Sequence, residues 1–140
     1  MTASRSLDDL HPQVRPLVDK FLEACAKARV DILVTCTWRS PQEQAKLYAQ
    51  GRTKPGKIVT NAKPGQSTHN FTVGGKPAAL AVDVVPMRGG KPVWAASDPV
   101  WQQVGKLGEK AGLEWAGRWT RFREFPHFQH PQARELRLNP

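Results

Sequence analysis

The sequence predicts an α+β fold in a single domain, residues 1–140, with a short antiparallel sheet flanked by helices. Some stretches carry apolar residues at helical spacing, whereas others are short and either rich in β-branched residues or strictly alternating. Helices and strands follow one another without the regular βαβ order that builds a parallel sheet. The chain is long enough for one hydrophobic core, and no repeat, low-complexity tract or linker divides it.

Three helices are predicted from apolar periodicity and from the signals at their ends. Residues 14–28 place apolar side chains at helical intervals. A second helix begins at Ser40, where Ser-Pro-Gln-Glu has the pattern of a capping box, and it runs to about Gln50. A third begins at Asp98, followed by proline, and ends before Gly112.

The predicted strands are short. Residues 30–37 are rich in β-branched side chains, and residues 80–85 alternate in the manner of a core strand. Residues 113–128 are rich in aromatic side chains and contain only short sequence patterns, which indicates short strands joined by a loop. Residues 52–65 are polar with glycine and proline, so we expect a loop there, with a short strand at 57–60.

The charge balance points to an anionic partner. Lysine and arginine outnumber the acidic residues by 21 to 12, for a net charge of +9. Anionic cell-envelope polymers are one such partner. The basic residues form no single helical stripe and match no nucleic-acid-binding motif, so nucleic acid is not expected. A basic module that binds an envelope or nucleic acid stays open as the non-enzymatic alternative, with residues 131–140 as a short basic tail.

Features of other protein classes are missing from the sequence. No run approaches the roughly 18 apolar residues of a membrane span. The first nine residues are polar and acidic, so we expect a cytoplasmic protein without a signal peptide. There is no GxSxG motif, which argues against a serine hydrolase. Cys25 and Cys36 lack a CxxC spacing and are predicted to be reduced core thiols.

Asp83 raises the question of a metal site, because an unpaired carboxylate in a core strand is costly. A divalent ion shared with His69 and His127 would satisfy it, and two histidines with one carboxylate match a catalytic zinc site. Glu124 stands three residues before His127 and could take a proton from water. Two alternatives remain open from spacing alone: Asp83 paired with an arginine beside surface histidines, or His130 in place of His127.

Five segments together resemble a zinc peptidase family, in the order in which the family has them. That family contains the D-alanyl-D-alanine carboxypeptidases and dipeptidases and the phage L-alanyl-D-glutamate endopeptidases. The segments are Thr37-Trp38-Arg39-Ser40-Pro41-Gln42-Glu43-Gln44 with Leu47-Tyr48, Ser67-Thr68-His69, Ala81-Val82-Asp83, Gly112-Leu113-Glu114-Trp115 with Trp119, and Glu124-Phe125-Pro126-His127.

The resemblance implies a site and a mechanism. One zinc ion would be bound by His69, Asp83 and His127. Glu124 would be the general base and Arg39 would bind the substrate or stabilise the oxyanion. Ser67 would line the site and bind substrate.

One departure from the family pattern concerns the spacing of two ligands. His69 and Asp83 are fourteen positions apart, whereas the family pattern is the closer HxxGxAxD. The extra residues, 72–78, contain Gly-Gly and proline, which are typical of a turn. We expect a hairpin or loop extruded there that leaves both ligands in place.

The function implied by the resemblance is a zinc-dependent endolysin that cuts the L-alanyl-D-glutamate bond of the peptidoglycan stem peptide. Such an enzyme would be a monomer without a separate wall-binding domain, and a membrane-permeabilising holin would release it from the cytoplasm to the wall. Within the same chemistry the alternative is a D-alanyl-D-alanine carboxypeptidase or dipeptidase. An inactive metal-binding relative is a further possibility, although Glu124 argues against it.

Overall fold

The computed structural model describes residues 3–138. In this range four α-helices lie at α1 Arg15–Lys27, α2 Pro41–Ala49, α3 Val100–Lys110 and α4 Ala133–Leu138. Seven strands lie at β1 Asp31–Cys36, β2 Thr72–Val73, β3 Lys76–Pro77, β4 Ala81–Arg88, β5 Lys91–Pro92, β6 Glu114–Trp115 and β7 His127–Gln129. Two short 3₁₀ turns occupy Leu7–Asp9 and Ala116–Arg118.

The main sheet has the order β1-β4-β7-β6, with β5 paired to the end of β4. Each of these pairings is antiparallel. Strands β2 and β3 form a separate two-stranded hairpin. The predicted α+β fold with a short antiparallel sheet is therefore confirmed.

Strand β4 lies at the centre of the sheet and positions its carboxylate between two neighbours. Asp83 is paired with Cys36 of β1 on one side and with His127 of β7 on the other. Side chains alternate across a strand, so Val82 and Val84 enter the hydrophobic core while Asp83 points to the other face.

Helices α1 and α3 pack against the core face of the sheet, and two aromatic rings mark the contact. Phe21 of α1 and Phe128 of β7 have ring centroids 4.5 Å apart. Helix α3 approaches closely because it carries glycine at the contact: a Cβ at Gly108 would lie 2.4 Å from the ring of Phe128. This layer of helices supports β7 directly behind the residues of the opposite face.

The predicted helix ends agree with the structure to within one or two residues. Ser40 Oγ accepts the backbone N–H of Glu43 at 3.1 Å, as the capping pattern predicts. Asp98 Oδ1 accepts the N–H of Val100 at 3.0 Å at the start of α3. No helix in residues 3–138 is long and apolar enough to cross a membrane.

One local expectation was wrong. Residues 57–60 form no strand, because side chains satisfy this backbone: Gln50 donates to the Lys57 carbonyl and Arg52 to the Thr60 carbonyl. The expected basic tail is folded up to residue 138, since α4 lies within it and Arg137 donates to the carbonyl of Gln66 at 2.7 Å. The tail's last two residues, 139–140, lie outside the described range.

Candidate metal centre and active site

Three predicted site residues meet on the face of the sheet opposite helices α1 and α3. Asp83 Oδ1 lies 3.1 Å from His69 Nε2 and 3.0 Å from His127 Nδ1. The histidines are 2% and 7% exposed, respectively. His127 and Asp83 come together through strand pairing, whereas His69 is brought in by the loop that precedes β2.

The extra residues between His69 and Asp83 form the β2–β3 hairpin, as the sequence predicts. Its turn is Gly74-Gly75, with φ of +59° and +76°, a left-handed conformation that favours glycine. At its base the Ala78 N–H donates to the Phe71 carbonyl at 2.9 Å. The hairpin is therefore closed at its base and separate from the main sheet, and it leaves His69 and Asp83 adjacent.

Hydrogen bonds on the far side of each ring determine which nitrogen faces Asp83 without a proton. His69 Nδ1 lies 2.7 Å from the Thr37 carbonyl oxygen, which can only accept, so Nδ1 carries the hydrogen. His127 Nε2 lies 2.9 Å from Gln129 Oε1, to which it donates. In the neutral rings, His69 Nε2 and His127 Nδ1 each then direct a lone pair at Asp83 Oδ1.

Three acceptors facing one another repel unless a cation lies among them. Two imidazole nitrogens and a carboxylate oxygen, with hydrogen bonds orienting the far side of each ring, are the donor set and surroundings of a catalytic zinc site. The residues present therefore fit a zinc ion.

A proton can take the place of that cation in the metal-free protein. Burial disfavours a charged His69, but the charge of Asp83 and its hydrogen bond outweigh burial and raise the pKa of His69 to about 10. Burial opposes ionisation of Asp83 as well, but the two imidazoles hold its pKa well below the usual value. Both pKa shifts show that positive charge beside the Asp83 carboxylate is favourable.

Cys36, which the sequence did not predict as a ligand, completes with His69 and Asp83 the one group of three ligand atoms in residues 3–138 that all lie close to one another. The ligand atoms of Cys36, His69 and Asp83 lie within 4.8 Å of one another. Cys36 Sγ, however, is 3.6 Å from Nδ1 of His69, the nitrogen that donates to Thr37. The thiol therefore contacts the ring at its proton-bearing nitrogen, and it also accepts a hydrogen bond from Arg39 Nη2 at 3.6 Å. Cys25 and Cys36 are both buried and free, as expected.

Glu124 is half-buried and lines the cavities on both sides of the cluster. Burial, with a smaller contribution from Asp83, raises the pKa of its carboxyl group, while the two histidines and Arg39 oppose the rise. A carboxyl group with a raised pKa has the proton affinity that a general base needs.

Arg39 lies beside the same carboxylate. Its Nη2 is 3.8 Å from Asp83 Oδ2, and its Nη1 donates to Gln44 Oε1 at 3.0 Å. The alternative that pairs Asp83 with an arginine is thus met only loosely, because this contact is longer than a hydrogen bond. Arg39 also lines the larger cavity, where it presents a permanent positive charge.

Ser67 has a structural role in the loop that carries His69. Its Oγ accepts the N–H of His69 at 3.1 Å, closing a tight turn. Ser67 also lines the larger cavity, so its predicted contact with substrate stays a prediction.

Two cavities flank the cluster and share Asp83, Arg123, Glu124 and His127. The smaller, of about 390 Å³, has mostly apolar walls that include Trp94, Trp101, Phe125 and Pro126. The larger, of about 580 Å³, is more polar and includes Arg39, Ser67, Thr68, Gln129 and Trp119. Together the two cavities offer space for a ligand that extends past the cluster into both.

His130 does not join the three residues. It lies beside His11, and the two buried rings make matching contacts: His11 Nδ1 accepts the N–H of Gln13, and His130 Nδ1 accepts that of Gln132. Each histidine is followed by proline and glutamine at the entry to a helix. Burial lowers the pKa of both, and for His11 the charge of His130 contributes.

Sequence reasoning overlooked the residues that orient the two imidazole rings. Gln129 is two positions after His127 on β7 and shares its face, a relationship that strand periodicity would have indicated. Thr37 acts through its carbonyl oxygen, for which side-chain patterns carry no signal.

Comparison with known families supports a peptidase. A family model described as D-alanyl-D-alanine carboxypeptidase, of the M15 peptidases, matches residues 60–130, which contain His69, Asp83, Glu124 and His127. Among curated proteins, the peptidoglycan L-alanyl-D-glutamate endopeptidase CwlK of Bacillus subtilis is 37% identical over 131 residues. The match covers 86% of this chain and 73% of that protein.

Solved structures share the fold at lower sequence identity. The L-Ala D-Glu endopeptidase ChiX of Serratia marcescens superposes with a TM-score of 0.61 at 20% identity, covering 95% of this chain and 91% of ChiX. The LD-carboxypeptidase LdcB gives 0.62 at 17% identity, covering 93% and 64%. VanYB, solved with D-alanine-D-alanine, gives 0.59 at 15% identity, covering 92% and 77%.

Proposed function

This chain belongs to the M15 family of metallopeptidases, and we propose that it is a zinc-dependent endopeptidase that hydrolyses the L-alanyl-D-glutamate bond of the peptidoglycan stem peptide. The observation that carries the proposal is the convergence of His69, Asp83 and His127 beside Glu124, between two cavities. The 37% identity to an endopeptidase of that specificity supports the choice of bond.

His69, Asp83 and His127 would hold the zinc ion through Nε2, a carboxylate oxygen and Nδ1. When bound, zinc would supply Lewis acidity that polarises a carbonyl group and lowers the pKa of a water molecule. Thr37 and Gln129 would keep each imidazole in the tautomer that presents its lone pair to the ion.

Glu124 would move the protons of the reaction. Its carboxylate would accept a proton from the attacking water and later donate that proton to the leaving amine of glutamate. The raised pKa favours the protonated form of the carboxyl group that would donate to the leaving amine. Arg39 would stabilise the negative charge that develops on the substrate, and Ser67 would contact the bound peptide.

The lytic part of the proposal rests on the resemblance to phage enzymes and on the charge. With a net charge of +9, the protein would concentrate on anionic polymers of the cell envelope. In a phage endolysin the enzyme would act as a monomer, stored in the cytoplasm and admitted to the wall by a holin.

The test is mass spectrometry of the soluble products of purified peptidoglycan, digested with and without chelator and after zinc is restored. We expect new peptides with N-terminal glutamate that disappear with chelator and return with zinc. Release of alanine alone would instead identify a carboxypeptidase, the activity in the description of the matching family model. Products that are indifferent to chelator would contradict the zinc mechanism.

A further inference from the structure

Arg123 is a cation at the site for which the mechanism above has no use. It borders both cavities, together with Asp83, Glu124 and His127. Its Nε donates to the Trp119 carbonyl at 3.3 Å, which anchors the base of the guanidinium group. Among residues 3–138, no acidic side chain forms an ion pair with it.

The other arginines near the site are already engaged. Arg39 is held by Gln44 and lies near Asp83. Arg118 makes a two-pronged ion pair with Glu109 at 3.0–3.2 Å. Arg123 differs because the two terminal nitrogens of its guanidinium group have no partner in the described part of the chain, so its charge remains available to a ligand.

The backbone holds Arg123 at the junction by an unusual turn. Phe122, immediately before it, has φ of +52°, a left-handed conformation that bulky residues rarely adopt. Such a conformation persists only where the surrounding structure imposes it. The turn brings Arg123 and Glu124, which are consecutive residues, to the same groove.

The leaving group of the proposed reaction has a matching charge. Glutamate has two carboxyl groups, and continuing the peptide uses only one of them. The residue on the leaving side of an L-alanyl-D-glutamate bond therefore keeps a free carboxylate a few bonds from the nitrogen that Glu124 would protonate. A guanidinium group binds a carboxylate by two parallel hydrogen bonds, a geometry that a carboxamide cannot match.

We propose that Arg123 is a specificity-determining residue that binds the free carboxylate of the D-glutamate on the leaving side of the scissile bond. This inference rests on the proposed function and adds the group that reads the substrate. It makes the enzyme selective for the acid over the amidated form of the same residue, D-glutamine or D-isoglutamine.

The experiment pairs two peptide substrates with variants of the enzyme. The substrates are identical except that the free carboxylate of the D-glutamyl residue is a carboxamide in the second. We expect wild-type kcat/KM to favour the acid by about tenfold or more. Arg123→Gln should lower kcat/KM for the acid by about that factor, chiefly through KM, and leave the amide substrate within about twofold. Arg123→Lys should recover part of the preference.

The matched control is Arg121→Gln, which removes an equally exposed arginine that borders neither cavity. Arg121→Gln should change kcat/KM for neither substrate by more than about twofold, because Arg121 borders neither cavity. It is a matched control because both variants reduce the overall charge equally. Equal losses on both substrates in Arg123→Gln, or an unchanged preference for the acid, would overturn the proposal.

Failure of the proposed function would be visible separately. If the wild-type protein cleaves neither peptide, calorimetric binding of the uncleaved peptides to wild type and Arg123→Gln still tests the role of Arg123. Tighter binding of the acid that is lost in the variant would uphold it, and equal binding of acid and amide to wild type would refute it.

Discussion

The Nδ1 nitrogen of His69 donates to the carbonyl oxygen of Thr37 at 2.7 Å, just beyond the end of β1. This hydrogen bond connects His69, a loop residue, to the backbone immediately after β1, and it orients Nε2 toward Asp83. His69, although on a loop, thereby gains a fixed orientation, while Asp83 and His127 receive theirs from strand pairing.

Removing a zinc ligand should weaken metal retention. We expect His69→Ala and Asp83→Asn each to reduce zinc affinity by about tenfold or more, because each leaves two of three protein ligands. Competition against a chromophoric chelator measures the affinity. Asp19→Asn, an exposed change on α1, is the control and should bind zinc like the wild type. Unchanged affinity in Asp83→Asn would mean that another residue is the third ligand.

A comparison of Cys36 and His127 should separate the two possible ligand sets. Because Cys36 approaches the proton-bearing nitrogen of His69, we expect Cys36→Ala to keep zinc affinity within about threefold. His127→Ala should lose at least about tenfold in the same titration. The reverse order would establish the set that contains the thiol.

Replacing Glu124 should separate metal binding from turnover. Glu124→Gln keeps the size of the side chain but removes the proton acceptor, so kcat should fall by about 10²–10⁴-fold. Zinc content, measured by atomic absorption, should stay at the wild-type level. A variant that keeps wild-type kcat would exclude Glu124 from proton transfer.

The paired histidines His11 and His130 should make the fold sensitive to acid. Their folded-state pKa values lie below 6.5, so the unfolded chain binds more protons once the pH falls below that value. The free energy of unfolding, measured with denaturant, should therefore decline as the pH falls from about 6.5 to about 5.5. Protonation would also place a hydrogen on each Nδ1 that now accepts a backbone N–H.

Replacing both rings should flatten that decline. Asparagine can also accept a backbone N–H at a helix entry, which makes His11→Asn/His130→Asn the suitable double variant. His69 in the zinc-free protein does not interfere, because its raised pKa affects stability between about pH 6.5 and 10, where stability falls as the pH rises. An identical slope in the double variant would assign the acid sensitivity to other groups.

Shortening the β2–β3 hairpin should leave the site intact. Deleting Thr72, Val73, Lys76 and Pro77 joins Phe71 to Ala78 through Gly74-Gly75 alone. The backbones of Phe71 and Ala78 are already hydrogen-bonded to each other. The deleted residues are exposed. We expect zinc affinity and kcat within about threefold of the full-length chain. Loss of zinc binding would show that the hairpin supports the position of His69.

The sequence predicted the elements whose signals are local. The capping residue Ser40 and the apolar spacing of α1 are properties of a few neighbouring positions, and both appear in the structure. The strand expected at 57–60 failed because an isolated extended segment needs an adjacent edge, and Gln50 and Arg52 satisfy its carbonyls instead.

The site was predictable only as a set of residue types. The family segments singled out His69, Asp83 and His127, and the structure brings them together, whereas their role as ligands stays a prediction. The acceptor for each ring could not be predicted, because Thr37 contributes a backbone oxygen. Neither could the contact of Cys36 with His69, which lies where β1 has a register irregularity between Val34 and Cys36.

The β2–β3 hairpin has a consequence for how relatives of this protein are found. Since the sheet holds Asp83 and the Thr37 contact holds His69, the chain between them can differ in length without moving either residue. A search pattern with a fixed interval between these ligands would pass over this chain and others with similar insertions. Distance along the polypeptide is thus a poor criterion for membership here, and separation in space is the better one.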